Sequence, residues 1–163
     1  MHYLVDAYNL LFRMQKKTTK LEDCRKLLIE QINEAASQLN LTITLVFDGA
    51  DIHLSHSLRA HFDAVALVYT PEHQTADEYI IQEVTESRHP SQITVVSNDR
   101  ELIQKCRLHK AQAQTIETFF GMLIKKEKKQ KKWQSVPGTS YSGSTSELAR
   151  LLAIFEKRLK EQE

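Results

Sequence analysis

The sequence predicts an α/β protein with a central, mostly parallel sheet and helices on both faces. Apolar, β-prone segments alternate along the chain with segments of helical periodicity, which is the pattern of βαβ units. Residues 41–47 (LTITLVF) are apolar almost without interruption, as expected of a strand covered on both faces. Residues 21–39 carry a single apolar stripe with steps of three and four, which indicates an amphipathic helix.

The first part of the chain divides into short strands and longer helices. The predicted elements are a strand at 2–5, helices at 7–14 and 21–39, and strands at 41–47 and 64–69. Asn40 is expected to end the second helix. Residues 50–62 hold His53, His56 and His61, and we expect an irregular loop bordering the strand ends. A zinc site is the alternative, but no cysteine or fourth ligand is spaced to complete a tetrahedron.

The second part of the chain repeats the alternation. The predicted elements are a helix at 75–87, a strand at 93–96, a helix at 100–107, an edge strand at 111–116 and a helix at 116–124. Thr75 and Glu78 have the T-x-x-E spacing of a capping box at the start of the first of these helices. The lysine-rich run that follows residue 124 is expected to continue the last helix into solvent.

Composition suggests three segments: a folded α/β domain at residues 1–127, a basic and Ser/Gly-rich linker at 128–146, and an amphipathic helix at 147–163. The apolar stripe of the last helix predicts docking, either on the domain or on a second copy in a homodimer. Formal net charge is only +1, so nucleic-acid binding does not follow from the overall charge. Two isolated cysteines and no bilayer-length apolar run favour a cytoplasmic protein without a membrane partner.

Acidic residues mark the ends of the predicted strands. Asp6, Asp48 and Asp99 follow the strands at 2–5, 41–47 and 93–96, and Asp77 opens the helix after the strand at 64–69. Ligands of open α/β sheets bind at the carboxyl ends of the strands. If the first strand is central, these carboxylates meet in one crevice, where hard oxygen ligands suit Mg²⁺ or Mn²⁺.

Each acid also has a purely structural explanation. Asp48-Gly49 is a common turn pair, Asn98 or Asp99 suits the N-cap of the next helix, and Asp77 is a favoured first-turn residue. The recurrence of an acid at all four places, with Asn9, Ser97 and Asn98 as further polar groups, favours the metal site.

The sequence resembles the YacP-like branch of the NYN-domain nucleases, within the PIN-like ribonuclease superfamily. The resemblance covers about residues 2–127. It is carried by four motifs in this order: Val5-Asp6-Ala7-Tyr8-Asn9-Leu10, Val46-Phe47-Asp48-Gly49, Thr75-Ala76-Asp77-Glu78 and Val95-Val96-Ser97-Asn98-Asp99. It implies a PIN-like three-layer α/β/α sandwich and a metal-dependent endoribonuclease. The added C-terminal helix is predicted by the apolar stripe of residues 147–163 and lies outside the resemblance.

By resemblance, Asp6, Asp77 and Asp99 match the catalytic, metal-binding acids, and Asp48 a further metal position. Asn9, Glu78, Ser97 and Asn98 are then supporting residues. Glu78 stands where close relatives often have a second Asp, and Asn98 interrupts a simpler Ser-Asp pair and is expected to re-aim Asp99 slightly.

RNA is the expected partner, and the resemblance points to messenger RNA during translation, on the ribosome. Arg59 and four residues of the lysine run, Lys125, Lys126, Lys128 and Lys129, are the candidate RNA contacts. Residues 125–132 hold six lysines and one glutamate, although such runs are also common on solvated helix ends. Two alternatives remain: a catalytically silent RNA-binding or ribosome-docking module, and a metal-dependent phosphatase.

Overall fold

The computed structural model describes residues 1–14, 21–49 and 57–134. The elements are β1 His2–Asp6, α1 Ala7–Met14, α2 Leu21–Leu39, β2 Thr42–Phe47, β3 Leu58–Phe62, β4 Val65–Tyr69, α3 Ala76–Glu86, β5 Ile93–Val96, α4 Arg100–Leu108, β6 Gln112–Gln114 and α5 Ile116–Gln134. A short 3-10 turn at Pro90–Gln92 leads into β5.

Six strands form one sheet in the order β3-β4-β2-β1-β5-β6. The β3–β4 pair is antiparallel, and the other neighbouring pairs are parallel. β1 therefore lies between β2 and β5, as the sequence predicts. The chain builds outward from β1 through β2 and β4 to β3, and then adds β5 and β6 on the other side. The strand order thus reverses between β1 and β5, which is where α/β sheets bind ligands.

Two apolar cores, one on each face of the sheet, confirm the three-layer α/β/α prediction. One core packs α1, α2 and α5 against the sheet and contains Leu11, Leu28 and Phe119 together with Val5 and Leu45 from the strands. The other packs α3 and α4 against the opposite face. Its residues include Leu4, Val46, Val68, Ile80, Val84, Leu102 and Cys106. Successive strand residues alternate between the two cores because side chains of a strand point alternately to opposite faces.

The prediction of an irregular segment at 50–62 is wrong for its last five residues. Residues 58–62 form β3, which pairs with β4 from Leu58 opposite Tyr69 to Phe62 opposite Val65. The sequence alternates apolar and polar side chains there, and this period of two is the strand signal that the histidine-rich composition obscured. Of the three histidines, His61 lies exposed on β3, and His53 and His56 lie outside the described residues.

The helix boundaries agree closely with the predictions. α2 ends at Leu39, and Asn40 adopts the left-handed conformation with φ of 50° that commonly follows a helix. α5 continues from Ile116 to Gln134 and therefore through the lysine run. The predicted boundary at residue 127 falls inside this helix, and the predicted C-terminal helix lies outside the described residues. None of the helices in the described ranges has both the length and the apolar character needed to cross a membrane.

Candidate functional site

The strand ends direct Asp6 and Ser97 to the same face of the sheet. Leu4, two residues before Asp6, packs in the core beneath α3 and α4, so the alternation of β1 brings Asp6 to that face. Ser97 follows β5, and its hydroxyl donates to Asp6 Oδ2 at 3.0 Å. The crevice at the carboxyl ends of β1 and β5 is therefore covered by the helices α3 and α4.

Asp6 is a buried carboxylate with both oxygens in hydrogen bonds. The residue is only 5% exposed to solvent. Oδ1 accepts the backbone N–H of Asn9 at 3.0 Å, and Oδ2 accepts the Ser97 hydroxyl. Burial raises the pKa of Asp6, the charge of Asp99 raises it further, and the hydrogen bonds from Asn9, Ser97 and Tyr8 oppose the rise. The net rise shows that burial outweighs the bonds that favour the anion.

Asp99 caps a helix, which is the structural explanation that its position in the sequence offered. It is the N-cap of α4, and its Oδ1 accepts the backbone N–H groups of Glu101 at 2.7 Å and Leu102 at 3.1 Å. Its own N–H donates to Ser97 Oγ at 3.0 Å. A single buried hydroxyl therefore connects Asp6 to the backbone of Asp99, and capping fixes where the Asp99 carboxylate lies.

Asp77 lies close enough to the other predicted acids for their charges to affect its pKa. It lies in the first turn of α3, which the predicted capping box of Thr75 and Glu78 begins. The pKa of Asp77 is raised to about 6, first by burial and then by the negative charges of Asp6 and Asp99, with a smaller contribution from Asp48. The charges of the other three predicted acids thus all act on Asp77.

The loop that carries Asp48 is held against the end of β4. Gly49 N–H donates to the hydroxyl of the fully buried Thr70 at 3.1 Å, and Thr70 N–H donates to Phe47 O at 3.0 Å. A Cβ atom on Gly49 would lie 1.7 Å from Thr70 O, so only glycine fits at this position. The Asp48-Gly49 pair therefore ends β2 and also packs closely against the backbone of Thr70.

Three predicted supporting residues have local structural partners. Asn9 contributes its backbone N–H to Asp6. The Glu78 carboxylate accepts the Thr75 N–H at 3.0 Å in the capping box. The Asn98 side chain turns toward α5, where it accepts from Ile116 N–H at 2.8 Å and donates to Glu117 at 2.7 Å. The expectation that Asn98 adds an oxygen to the crevice is not met, because its amide satisfies the start of α5.

Arg59 and the lysines lie apart from the acid cluster. Arg59 projects from β3 toward α3, where its guanidinium forms an ion pair with Glu83 and donates to the Tyr79 hydroxyl at 2.5 Å. α5 begins beside Asn98, and with 1.5 Å of rise per residue Lys125 lies roughly 14 Å further along its axis. The structure therefore does not bring these candidate RNA contacts together with the carboxylates.

The donor chemistry of the crevice suits a hard divalent cation. Asp6, Asp48, Asp77 and Asp99 offer oxygen ligands alone, which match Mg²⁺ or Mn²⁺ better than zinc. Within the three described ranges, no three His, Cys, Asp or Glu side chains are close enough to form a ready-made coordination shell. Burial, and after it the charges of the neighbouring carboxylates, raise the pKa of Asp77, and a bound cation would offset both effects.

Comparisons with known proteins agree with this architecture. The family model of the YacP-like NYN domain matches residues 3–161. This chain belongs to the YacP-like NYN domain family. The family is nuclease-like and RNA-related, which is the broad functional class that the four motifs predict.

Solved structures extend the likeness to three dimensions. One crystal structure of Rae1 (YacP) from Bacillus subtilis aligns with a TM-score of 0.62 at 20% identity, covering 99% of this chain and 91% of that chain. A mutant form of the same protein aligns with a TM-score of 0.65 at 20% identity, covering 93% and 92% of the two chains. At this identity the likeness concerns the fold. No curated protein matches the sequence.

One cation at the site of this NYN domain was not predicted. Lys105 of α4 lowers the pKa of Asp77, opposing the effect of the surrounding carboxylates. Lys105 is six residues beyond Asp99, and its effect on a residue of α3 depends on how the two helices pack. The sequence offers no local signal for such a contact, because nothing in either helix specifies which residue of the other will face it.

Proposed function

We propose that this chain is an endoribonuclease that depends on Mg²⁺ or Mn²⁺ and hydrolyses RNA phosphodiester bonds. The observation that carries the proposal is the link between Asp6 and Asp99 at the carboxyl ends of β1 and β5, where the Ser97 hydroxyl bonds both. The pKa of Asp77, raised first by burial and then by the charges of Asp6 and Asp99, supports it. Family membership supports a nuclease-like, RNA-related activity. The all-oxygen donor chemistry of the acids near the switch point of the sheet supports the metal dependence.

The proposed roles follow from the positions of the residues. Asp6, Asp77 and Asp99 hold the ion, and Asp48 is a further ligand. A divalent ion bound there supplies Lewis-acid activation of water and neutralises charge at the phosphate. Ser97 orients the Asp6 carboxylate through Oδ2 and fixes the backbone of Asp99. Lys105 adds positive charge beside Asp77.

Hydrolysis at this site forms a bond from a water oxygen to phosphorus and breaks the bond from phosphorus to the 3′ oxygen. The expected products are a 5′-phosphate and a 3′-hydroxyl. Cleavage within messenger RNA on the ribosome is the finer proposal for the substrate, and it rests on the resemblance of the four motifs. A homodimer through the predicted C-terminal helix stays a prediction, since that segment lies outside the described residues.

A cleavage assay on end-labelled RNA tests the activity. We expect fragments with Mg²⁺ or Mn²⁺, none in excess EDTA, and recovery when the metal is restored in excess. Asp6→Asn should abolish the fragments, whereas the matched control Asp23→Asn, an exposed position on α2, should leave them unchanged. RNA binding without cleavage under any metal condition would instead identify a catalytically silent RNA-binding module. Cleavage that persists in both EDTA and the Asp6→Asn variant would exclude the proposed site.

A further inference from the structure

A pocket of about 550 Å³ lies on the side of α4 that faces β6. Four of its lining residues, Arg100, Ile103, Gln104 and Arg107, follow the i, i+3, i+4, i+7 spacing of one helix face. Leu108 and Thr115 complete the lining. The pocket thus combines two guanidinium groups, an amide, a hydroxyl and two aliphatic side chains within a volume that suits a small organic group.

The pocket adjoins the acid crevice. Arg100 directly follows Asp99, and Thr115 directly follows β6, whose Gln114 O accepts the N–H of Ser97 at 3.3 Å. Both residues therefore lie at the same carboxyl edge of the sheet as Asp6. From there the pocket extends along α4 to Arg107, roughly 10 Å away at 1.5 Å of rise per residue. The pocket therefore begins at the same end of the strands as the acid crevice.

Charge distinguishes this pocket from two others of the described structure. The pocket at the amino ends of the strands is lined by Glu83 and Glu86. The pocket beside α2 pairs Glu22 and Glu30 with two basic residues. None of the six described residues that line the α4 pocket is acidic, and two of them are arginines. An anion is therefore favoured here and disfavoured at the amino-end pocket.

The two arginines differ in how firmly they are held. Arg107 donates to the backbone oxygen of Ala113 at 3.1 Å, which fixes its guanidinium against β6. Arg100, in the first turn of α4, is exposed at the rim nearest the crevice. Leu108 is 77% exposed, an unusual position for a large aliphatic side chain. A ligand with both a phosphate and an apolar face can interact with the two arginines and with Leu108 at the same time.

We propose that the α4 pocket binds one nucleotide of the single-stranded RNA that flanks the bond to be cleaved. Arg100 contacts the phosphate, Ile103 and Leu108 pack against the base, and Gln104 hydrogen-bonds a base edge. This assignment rests on the proposed function, since it places the RNA across the acid crevice. It moves the RNA contact from the predicted lysines of α5 to the helix that begins at Asp99.

RNA binding measured in EDTA tests the pocket separately from cleavage. A short fluorescent single-stranded RNA is titrated with the full chain at several salt concentrations. Arg100→Ala should weaken binding about 3–10-fold at low salt and reduce the slope of log K against log salt by about 0.7, the value for one phosphate contact on a single strand. Arg88→Ala, which removes the same charge from an exposed position beyond α3, is the matched control and should leave both quantities unchanged.

A second variant separates the apolar contact from the charge. Leu108→Ala should weaken binding about 3–10-fold, as expected for loss of part of a base contact, with the salt slope unchanged. Because Leu108 is exposed, this change should not affect folding, which thermal denaturation checks. Methyl NMR signals of Ile103 should shift on addition of the RNA.

The outcomes are distinguishable. If neither Arg100→Ala nor Leu108→Ala weakens binding, or if the wild-type chain does not bind RNA in EDTA, the pocket assignment is overturned. If both variants weaken binding but no metal supports cleavage, the pocket stands and the nuclease proposal fails. Equal weakening by Arg88→Ala and Arg100→Ala would indicate binding by overall charge and would also overturn the pocket.

Discussion

Carboxylates gather at two edges of the central sheet, one formed by the amino ends of its strands and the other by their carboxyl ends. The two edges supply these carboxylates with different partners. At the amino ends of the strands, a pocket of about 540 Å³ is lined by His2, Glu83, Glu86 and His89 among others. Glu83 accepts the Tyr79 hydroxyl at 2.8 Å and forms an ion pair with Arg59. Glu86 accepts the side-chain amide of Gln82 at 2.8 Å. Both carboxylates there have a donor on a neighbouring element or turn.

At the carboxyl ends, Asp6 and Asp99 have hydrogen-bond donors, but Asp77 also lies within reach of the charges of other acids. Asp77 is subject to the charges of Asp6, Asp99 and Asp48, and Lys105 is the opposing cation among the causes that shift its pKa to about 6. Acidic clustering by itself therefore does not distinguish the two edges. The distinguishing feature is the balance at Asp77, where burial and three negative charges outweigh Lys105, and a bound cation would offset that imbalance.

The largest expected difference between the edges is in catalysis. Asp77→Asn keeps the size of the side chain but removes its charge, and it should lower metal-dependent RNA cleavage by at least about 10²-fold, since a ligand to the ion is weakened. Glu86→Gln makes the same chemical change at the other edge and should leave the rate within about twofold. Initial rates at saturating Mn²⁺ measure both. Equal losses of cleavage in the two variants would show that the two edges of the sheet do not differ in catalysis.

An intermediate effect is expected at Ser97. Its buried hydroxyl donates to Asp6 and accepts from the backbone of Asp99. Ser97→Ala should lower activity about 10–100-fold, the usual cost of losing a group that orients metal ligands. The concentration of Mn²⁺ needed for half-maximal rate should rise as well. Ser87→Ala, at the far end of α3, is the control. A purely structural role would instead lower thermal stability and leave the Mn²⁺ requirement unchanged.

The smallest expected effect is a dependence of stability on pH. The pKa of Asp77 is raised from 3.8 to about 6 in the folded chain, so the folded state binds this proton more tightly than the unfolded state. Ionisation of Asp77 therefore lowers the stability of the wild-type chain as pH rises through this range, and Asp77→Asn lacks that contribution. In EDTA the variant should melt about 2–5 °C above the wild type at pH 8, and within about 1 °C of it at pH 4.5.

Metal should reverse that ranking. Adding Mg²⁺ or Mn²⁺ at pH 8 stabilises the form that binds it, so the wild type should gain more than Asp77→Asn. Differential scanning fluorimetry with and without metal measures both shifts. A difference between the variants that is the same at both pH values and insensitive to metal would contradict the repulsion described for this crevice.

Local patterns predicted most of the fold because they act over a few residues. Steps of three and four placed α2, the T-x-x-E spacing placed the start of α3, and runs of β-branched residues placed β2 and β5. β3 was missed because its alternation covers only five residues of a histidine-rich segment, and because an edge strand needs only one buried face. Asn98 was misassigned because its partners on α5 are distant in the sequence.

The amino-acid sequence was sufficient to predict the kind of site: acids at the ends of buried strands, and a set of oxygen ligands. Short-range apolar patterns set where a strand ends, and a carboxylate that directly follows a strand must lie near the end of the sheet. The three-dimensional fold was needed to show which acids interact, how Ser97 joins two of them, and that Lys105 and the α4 pocket lie near the crevice. Those relations depend on the strand order and on the packing of α3 against α4, which arise from contacts summed over the whole core.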